Sequence, residues 1–136
     1  MGEGEVDQVR QIYGFDWAAV GSRREGFSEL AALVTEDFSS QLSPELGERV
    51  VQGVRGLQEF TQALESDFSE FRYDAGEFIL AEDGKVVVLG RIHACARASR
   101  MPLTGDFGHV WTIRDGRSAA VTAYRDHETA RREAGL

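Results

Sequence analysis

The chain has 136 residues, 42% of them hydrophobic and 28% charged, the balance of an ordinary globular domain rather than of a disordered or fibrous chain. A formal net charge of −8 at pH 7 sets it against polyanions, which argues against nucleic acid and acidic membrane surfaces as partners. Its one cysteine, Cys95, excludes an intramolecular disulfide and cysteine-rich zinc clusters and fits a reducing cytoplasm.

The opening residues MGEGEVDQVRQ carry neither the basic stretch nor the apolar segment of a signal peptide. The longest aliphatic run, 86–89, is far too short to cross a bilayer, and a cytoplasmic location is expected. Nothing repeats, only Pro44 and Pro102 interrupt the chain as prolines, and residues 1–136 are read as one domain. A chain of this length buries roughly 68% of its unfolded surface, enough for a core that can enclose a pocket.

In chain order, Val9, Ile12, Tyr13 and Trp17 recur at spacings of three and four, predicting a helix from Val6 to about Val20. A second helix follows residues 21–26, with Phe27, Leu30, Ala31 and Val34 on one face and an exit at Asp37 and Phe38. A third spans 56–68, where Leu57, Phe60, Thr61, Leu64 and Phe68 form an apolar stripe opposite Gln58, Glu59, Gln62 and Glu65. Extended segments follow at about 71–81, 86–97, 105–113 and 118–126. Asp83-Gly84 and Asp115-Gly116 between them are two-residue hairpin signals, since glycine accepts the positive φ that such turns require. Helices first and strands afterwards indicate an α+β fold, with the helices on one face of a meandering antiparallel sheet. The charges that close the chain are read as a solvated short helix or tail.

Alternation divides 86–97 into Val87, Leu89, Arg91, His93, Cys95 and Arg97 on one face and a small, apolar set on the other. The apolar set must be covered by helices or by a partner sheet. The first set puts a guanidinium, an imidazole and a thiol in one row, which is either wet or lines a site. His109 and Trp111 share a face, and Tyr124 and Asp126 end the last strand, where Asp126 could pair with Arg91 or orient His93. A positioned His–Asp pair moves protons near neutral pH, and an Arg or a protonated His stabilises developing negative charge on oxygen. The plainer alternatives are an Arg91–Asp126 ion pair that tightens the sheet end and a His93 satisfied at the sheet rim. Tyr13 and Trp17 are core residues or ligand contacts. His93 and His109, on separate strands, carry no metal-ligand spacing, and no metal is expected.

The motifs VVVLGRIHACAR, GHVWTIRDGR and AYRDHETARREAGL, within 78–136, resemble the SnoaL-like, ketosteroid-isomerase-like branch of the nuclear-transport-factor-2-like superfamily. The opening helix with Tyr13 and Trp17, the exit at Glu36-Asp37-Phe38 and the glycine-flanked third helix extend the likeness over nearly the whole chain. The resemblance implies a cone-shaped fold: three N-terminal helices packed on a strongly curved antiparallel sheet, enclosing an apolar pocket, with a homodimer formed through the sheet.

Carried over residue by residue from the ketosteroid isomerases, Tyr13 falls near the oxyanion-hole tyrosine and His109 near the protonated aspartate of the sheet. The position of the general base reads Leu42 or Ser43 instead of aspartate. Against limonene-epoxide hydrolases, Arg91-Ile92-His93 resembles the Arg-x-Asp element and Tyr124-Arg125-Asp126 the Trp-Arg-Asp element, while the water-positioning Tyr and Asn would fall near Ser40 and Leu42. In the SnoaL polyketide cyclases an acid/base aspartate near the sheet end is similar in placement to Asp126.

The expectation is a protein that binds a small hydrophobic molecule of polyketide-, terpenoid- or steroid-like character and acts on it by cofactor-independent acid/base chemistry: isomerisation, cyclisation, dehydration or epoxide opening. His93 and Asp126 would exchange protons beside Arg91, and Tyr13, Trp17, His109, Trp111 and Tyr124 would contact the substrate. The alternative is a ligand-binding or dimerisation module of the same fold without chemistry.

Overall fold

A computed structural model describes residues 2–15, 17, 26–43 and 50–136. Helix α1 (Gly2–Tyr13) buries Val9 and Ile12 and ends where the Gly14 N–H bonds back to the Gln11 carbonyl at 3.1 Å. Residues 16 and 18–20 of the expected helix lie outside the described residues. Helix α2 (Phe27–Ala31) is a single turn that buries Leu30.

The second helix was expected to run on to Val34, but Val34 opens strand β1 (Val34–Leu42). Val34 and Thr35 are β-branched, and the Leu33 carbonyl, free of the helix, accepts from the Ser118 N–H at 2.9 Å to begin a ladder with the last strand. Strand β2 (Val50–Gln52) leads into helix α3 (Gly53–Asp67), which buries the predicted Leu57, Thr61 and Leu64. Arg97 clamps its far end, donating to the Glu65 carbonyl at 2.9 and 3.2 Å and to the Phe68 carbonyl at 3.1 Å.

Strands β3 (Phe68–Leu80), β4 (Lys85–Ala96), β5 (Pro102–Arg114) and β6 (Arg117–Tyr124) form the expected meander. Both predicted turns have the backbone they need: Asp83 and Gly84 lie at φ 60° and 71°, Asp115 and Gly116 at 54° and 78°. The six strands make one sheet, ordered β2-β1-β6-β5-β4-β3. It is mixed rather than purely antiparallel, because β1 runs parallel to β6. No hairpin joins those two strands, so no turn dictates their direction.

The two faces of the sheet have different covers. On the inner face Val86, Val88, Phe107, Trp111 and Val121 pack with Val9, Ile12, Leu57 and Leu64 of α1 and α3. On the outer face Val87, Leu89 and Val110 pack with Ala130 of a last helix, α4 (His127–Glu133). The charged chain end is thus a docked helix whose Ala130 is fully buried. The apolar set of β4 turns out to be the inner one, covered by helices.

Candidate functional site

Register places three strands' worth of side chains on one inner wall. His109 pairs with Val88 on one side and Ala123 on the other; Trp111 pairs with Val86 and Val121 one step along. Tyr73 stands opposite Ile92 on β3. The C-terminal end of α1 brings Tyr13 over this wall, its ring 5.9 Å from both His109 and Tyr73. Between these rings and α3 lies a cavity of about 70 Å³, floored by Phe38, Ser40 and Leu42 of β1 and closed by Trp17, Leu57 and Phe60.

The polar groups of this wall form a directed chain. An indole N–H can only donate, and Trp111 Nε1 lies 2.8 Å from the Tyr13 hydroxyl oxygen, so Tyr13 accepts there. Tyr13 keeps one proton to donate, and the acceptor beside it among the described residues is His109 Nδ1, at 2.5 Å. His109 must therefore leave Nδ1 unprotonated and carry its proton on Nε2. Burial agrees, since it disfavours the imidazolium and pushes His109 down to about 3, leaving the ring neutral at pH 7. Burial likewise raises the Tyr13 phenol well above its usual range, and the Trp111 hydrogen bond offsets part of that. Tyr73 is raised by burial too. The chain ends at His109 Nε2–H, which has no hydrogen-bond partner among the described residues and is not sealed in the core.

Of the expected site residues, Tyr13, Trp17, His109 and Trp111 meet at this cavity. The other four do not. Arg91 and His93 have the parity of Val87 and Leu89 and so lie on the outer face, across the sheet from the cavity. There Arg91 pairs with Asp106 at 3.4 Å and His93 with Asp74 at 3.6 Å, all partly solvated. Asp126 caps α4, accepting from the Thr129 N–H at 2.7 Å, and that bond holds its carboxyl below the usual range. Tyr124 packs on the outer cluster under α4. The expected His93–Asp126 proton exchange and the Arg91–Asp126 pair thus have no geometry here. An alternating strand presents two candidate inner faces, and the docking of α4 decides between them. His127, at the start of α4, donates from Nε2 to the Gly90 carbonyl at 2.9 Å.

Residue patterning missed Tyr73 and Phe38 as cavity residues and reached Ser40 only through the family likeness. For Tyr73 a signal was present: Phe71, Tyr73 and Ala75 alternate with Arg72 and Asp74, apolar inward and charged outward. Phe38 and Ser40 were hidden because β1 was read as the exit of a helix. No group of three His, Cys, Asp or Glu able to hold a metal occurs among the described residues, and no described helix is long and apolar enough to cross a membrane.

Among curated protein sequences none matches the chain. Solved structures do, over nearly its full length. A nuclear-transport-factor-2-like protein of unknown function from Burkholderia pseudomallei is 20% identical, with a TM-score of 0.70 and 98% of each chain covered. TerC, co-crystallised with polyporic acid, is 22% identical, with a TM-score of 0.72 over 96% of this chain and 97% of its own. A protein of ketosteroid-isomerase-like fold from Catenulispora acidiphila, in complex with trimethylamine, is 12% identical, with a TM-score of 0.67 over 89% and 90%. At these identities the likeness establishes the fold. The SnoaL-like domain model matches residues 16–121, and the chain belongs to that family.

Proposed function

We propose that the inner cavity binds a small, largely apolar organic molecule and polarises one of its oxygen atoms through His109 Nε2–H. The observation that carries this reading is the Trp111→Tyr13→His109 chain, which ends in an open N–H donor on a mostly aromatic and aliphatic wall. In so dry a site one hydrogen bond to a carbonyl or phenolic oxygen is stronger than in water, and successive bonds polarise one another. A ligand with a small aromatic or aliphatic ring suits the lining, and the polyporic acid and trimethylamine complexes of TerC and the Catenulispora protein support small organic molecules as occupants of this fold. Among the described lining residues there is no carboxylate, so binding and polarisation, rather than proton abstraction, are what these side chains perform.

The test compares acetophenone with α-methylstyrene, which replaces C=O by C=CH₂ at nearly constant shape, by titration calorimetry. Saturable binding of acetophenone, about fivefold tighter than α-methylstyrene for one net hydrogen bond, is expected, with the preference lost in His109→Leu. Absence of saturable acetophenone binding, or a preference that survives in His109→Leu, overturns the reading.

A further inference from the structure

Two hydroxyl groups on the cavity wall take no part in the chain that fixes His109. The Tyr73 hydroxyl and Ser40 Oγ have no hydrogen-bond partner among the described residues, yet both residues line the cavity and neither hydroxyl is a sealed, unsatisfied atom. Their positions differ. Tyr73 sits beside His109, ring centroids 5.3 Å apart, so the two belong to one end of the cavity. Ser40 is on β1, opposite Val121 of β6, and β5 with His109 lies beyond β6. Two strand spacings across and two residues along put the Ser40 backbone roughly 12 Å from that of His109. Val121, Ala123 and Leu42 fill the interval with apolar surface.

A hydroxyl held open on an apolar wall costs solvation unless water or a ligand meets it, and the two polar ends are separated by a dry stretch. Resting on the reading of the cavity as a ligand site, we infer that its ligand carries oxygen functions at both ends of a ring-sized apolar body. An acceptor oxygen meets His109 and Tyr73, and a hydroxyl or carbonyl meets Ser40. Ser40 is then the residue that distinguishes a doubly oxygenated compound from a singly oxygenated one. Its hydroxyl both donates and accepts, so it takes either a carbonyl or a hydroxyl at that end.

The probe pair is acetophenone and 4-hydroxyacetophenone, which adds one hydroxyl at the far end of the ring, titrated into the full chain and into Ser40→Ala. The full chain is expected to bind 4-hydroxyacetophenone about fivefold more tightly than acetophenone, and Ser40→Ala to bring the ratio to about one. In Tyr73→Phe both compounds are expected to weaken by a similar factor, because that hydroxyl meets the carbonyl common to both. Acetophenone binding without a preference for the hydroxylated compound, or a preference unchanged in Ser40→Ala, overturns this inference and leaves the binding reading standing. Failure of both compounds to bind overturns the two together.

Discussion

Gln8 and Ser118, 110 positions apart, share a buried hydrogen bond in which Ser118 Oγ donates to Gln8 Oε1 at 2.8 Å. The other end of the same amide donates to the Leu33 carbonyl at 2.6 Å, so one side chain ties α1 to the α2–β1 turn and to the start of β6. Gln8→Leu leaves the Ser118 hydroxyl buried without its acceptor, a loss of about 2 kcal/mol. Ser118→Ala costs less, and the double variant falls short of the sum because both changes break one network. Urea midpoints with an unchanged slope measure this; additive losses would show that the two residues act independently.

The depressed His109 makes stability fall on the acid side. The folded state keeps the ring neutral down to about 3, whereas the unfolded ring takes up a proton near 6.5. Below that value the unfolded state binds the extra proton, so the His109 contribution is complete above about 6.5 and is lost progressively as pH falls toward 3. Between pH 7 and pH 4 the loss from this one group is about 3 kcal/mol. His109→Gln, lower in stability at pH 7 because the Tyr13 hydroxyl loses its partner, is expected to lose correspondingly less on going to pH 4. Equal losses in the two proteins would mean that His109 is not held neutral.

Periodicity made most of the fold legible. The Asp-Gly pairs fixed two hairpins through backbone geometry alone, and the stripe of α3 named its own buried face. What it left open were choices made by distant contacts. On β4, Val86 and Val88 look no more inward than Val87 and Leu89, and only Ala130, more than forty positions later, settles which pair it covers. Reading that choice the other way carried Arg91 and His93 into a pocket from which the sheet separates them. His109 and Tyr13 could be brought together by likeness to a family, but the direction of their hydrogen bond depends on the Trp111 indole, which sequence spacing does not reveal.

The contact of α4 with the sheet rests on Gly108. A Cβ there would stand 2.5 Å from the Ala130 Cβ and 3.0 Å from the Asp126 carbonyl, both within or at the edge of this short helix. Gly108→Ala is therefore expected to destabilise the docked helix by about 1–3 kcal/mol and to expose Arg131 and Arg132 to trypsin before the rest of the chain is cut. Ala130→Gly in the same protein removes one of the two clashing atoms and is expected to restore part of the protection, a coupling that separate sites would not show. Unchanged trypsin sensitivity in Gly108→Ala would contradict the packing of α4 on the outer face.

The outer face also supplies a direct contrast with the cavity. His93, paired with Asp74 at 3.6 Å in a partly solvated setting, contributes little to stability, since such pairs are worth about 0–1 kcal/mol. His93→Gln is expected to bind acetophenone as the unaltered protein does, because the sheet lies between this side chain and the cavity. Asp126→Ala removes the cap on the Thr129 N–H and lowers stability by about 1 kcal/mol, again without a change at the cavity. Calorimetric titration beside thermal melting separates the two effects. A tenfold loss of binding in His93→Gln, with its melting temperature intact, would return His93 to the site and show that the inner and outer faces of β4 have been assigned the wrong way round.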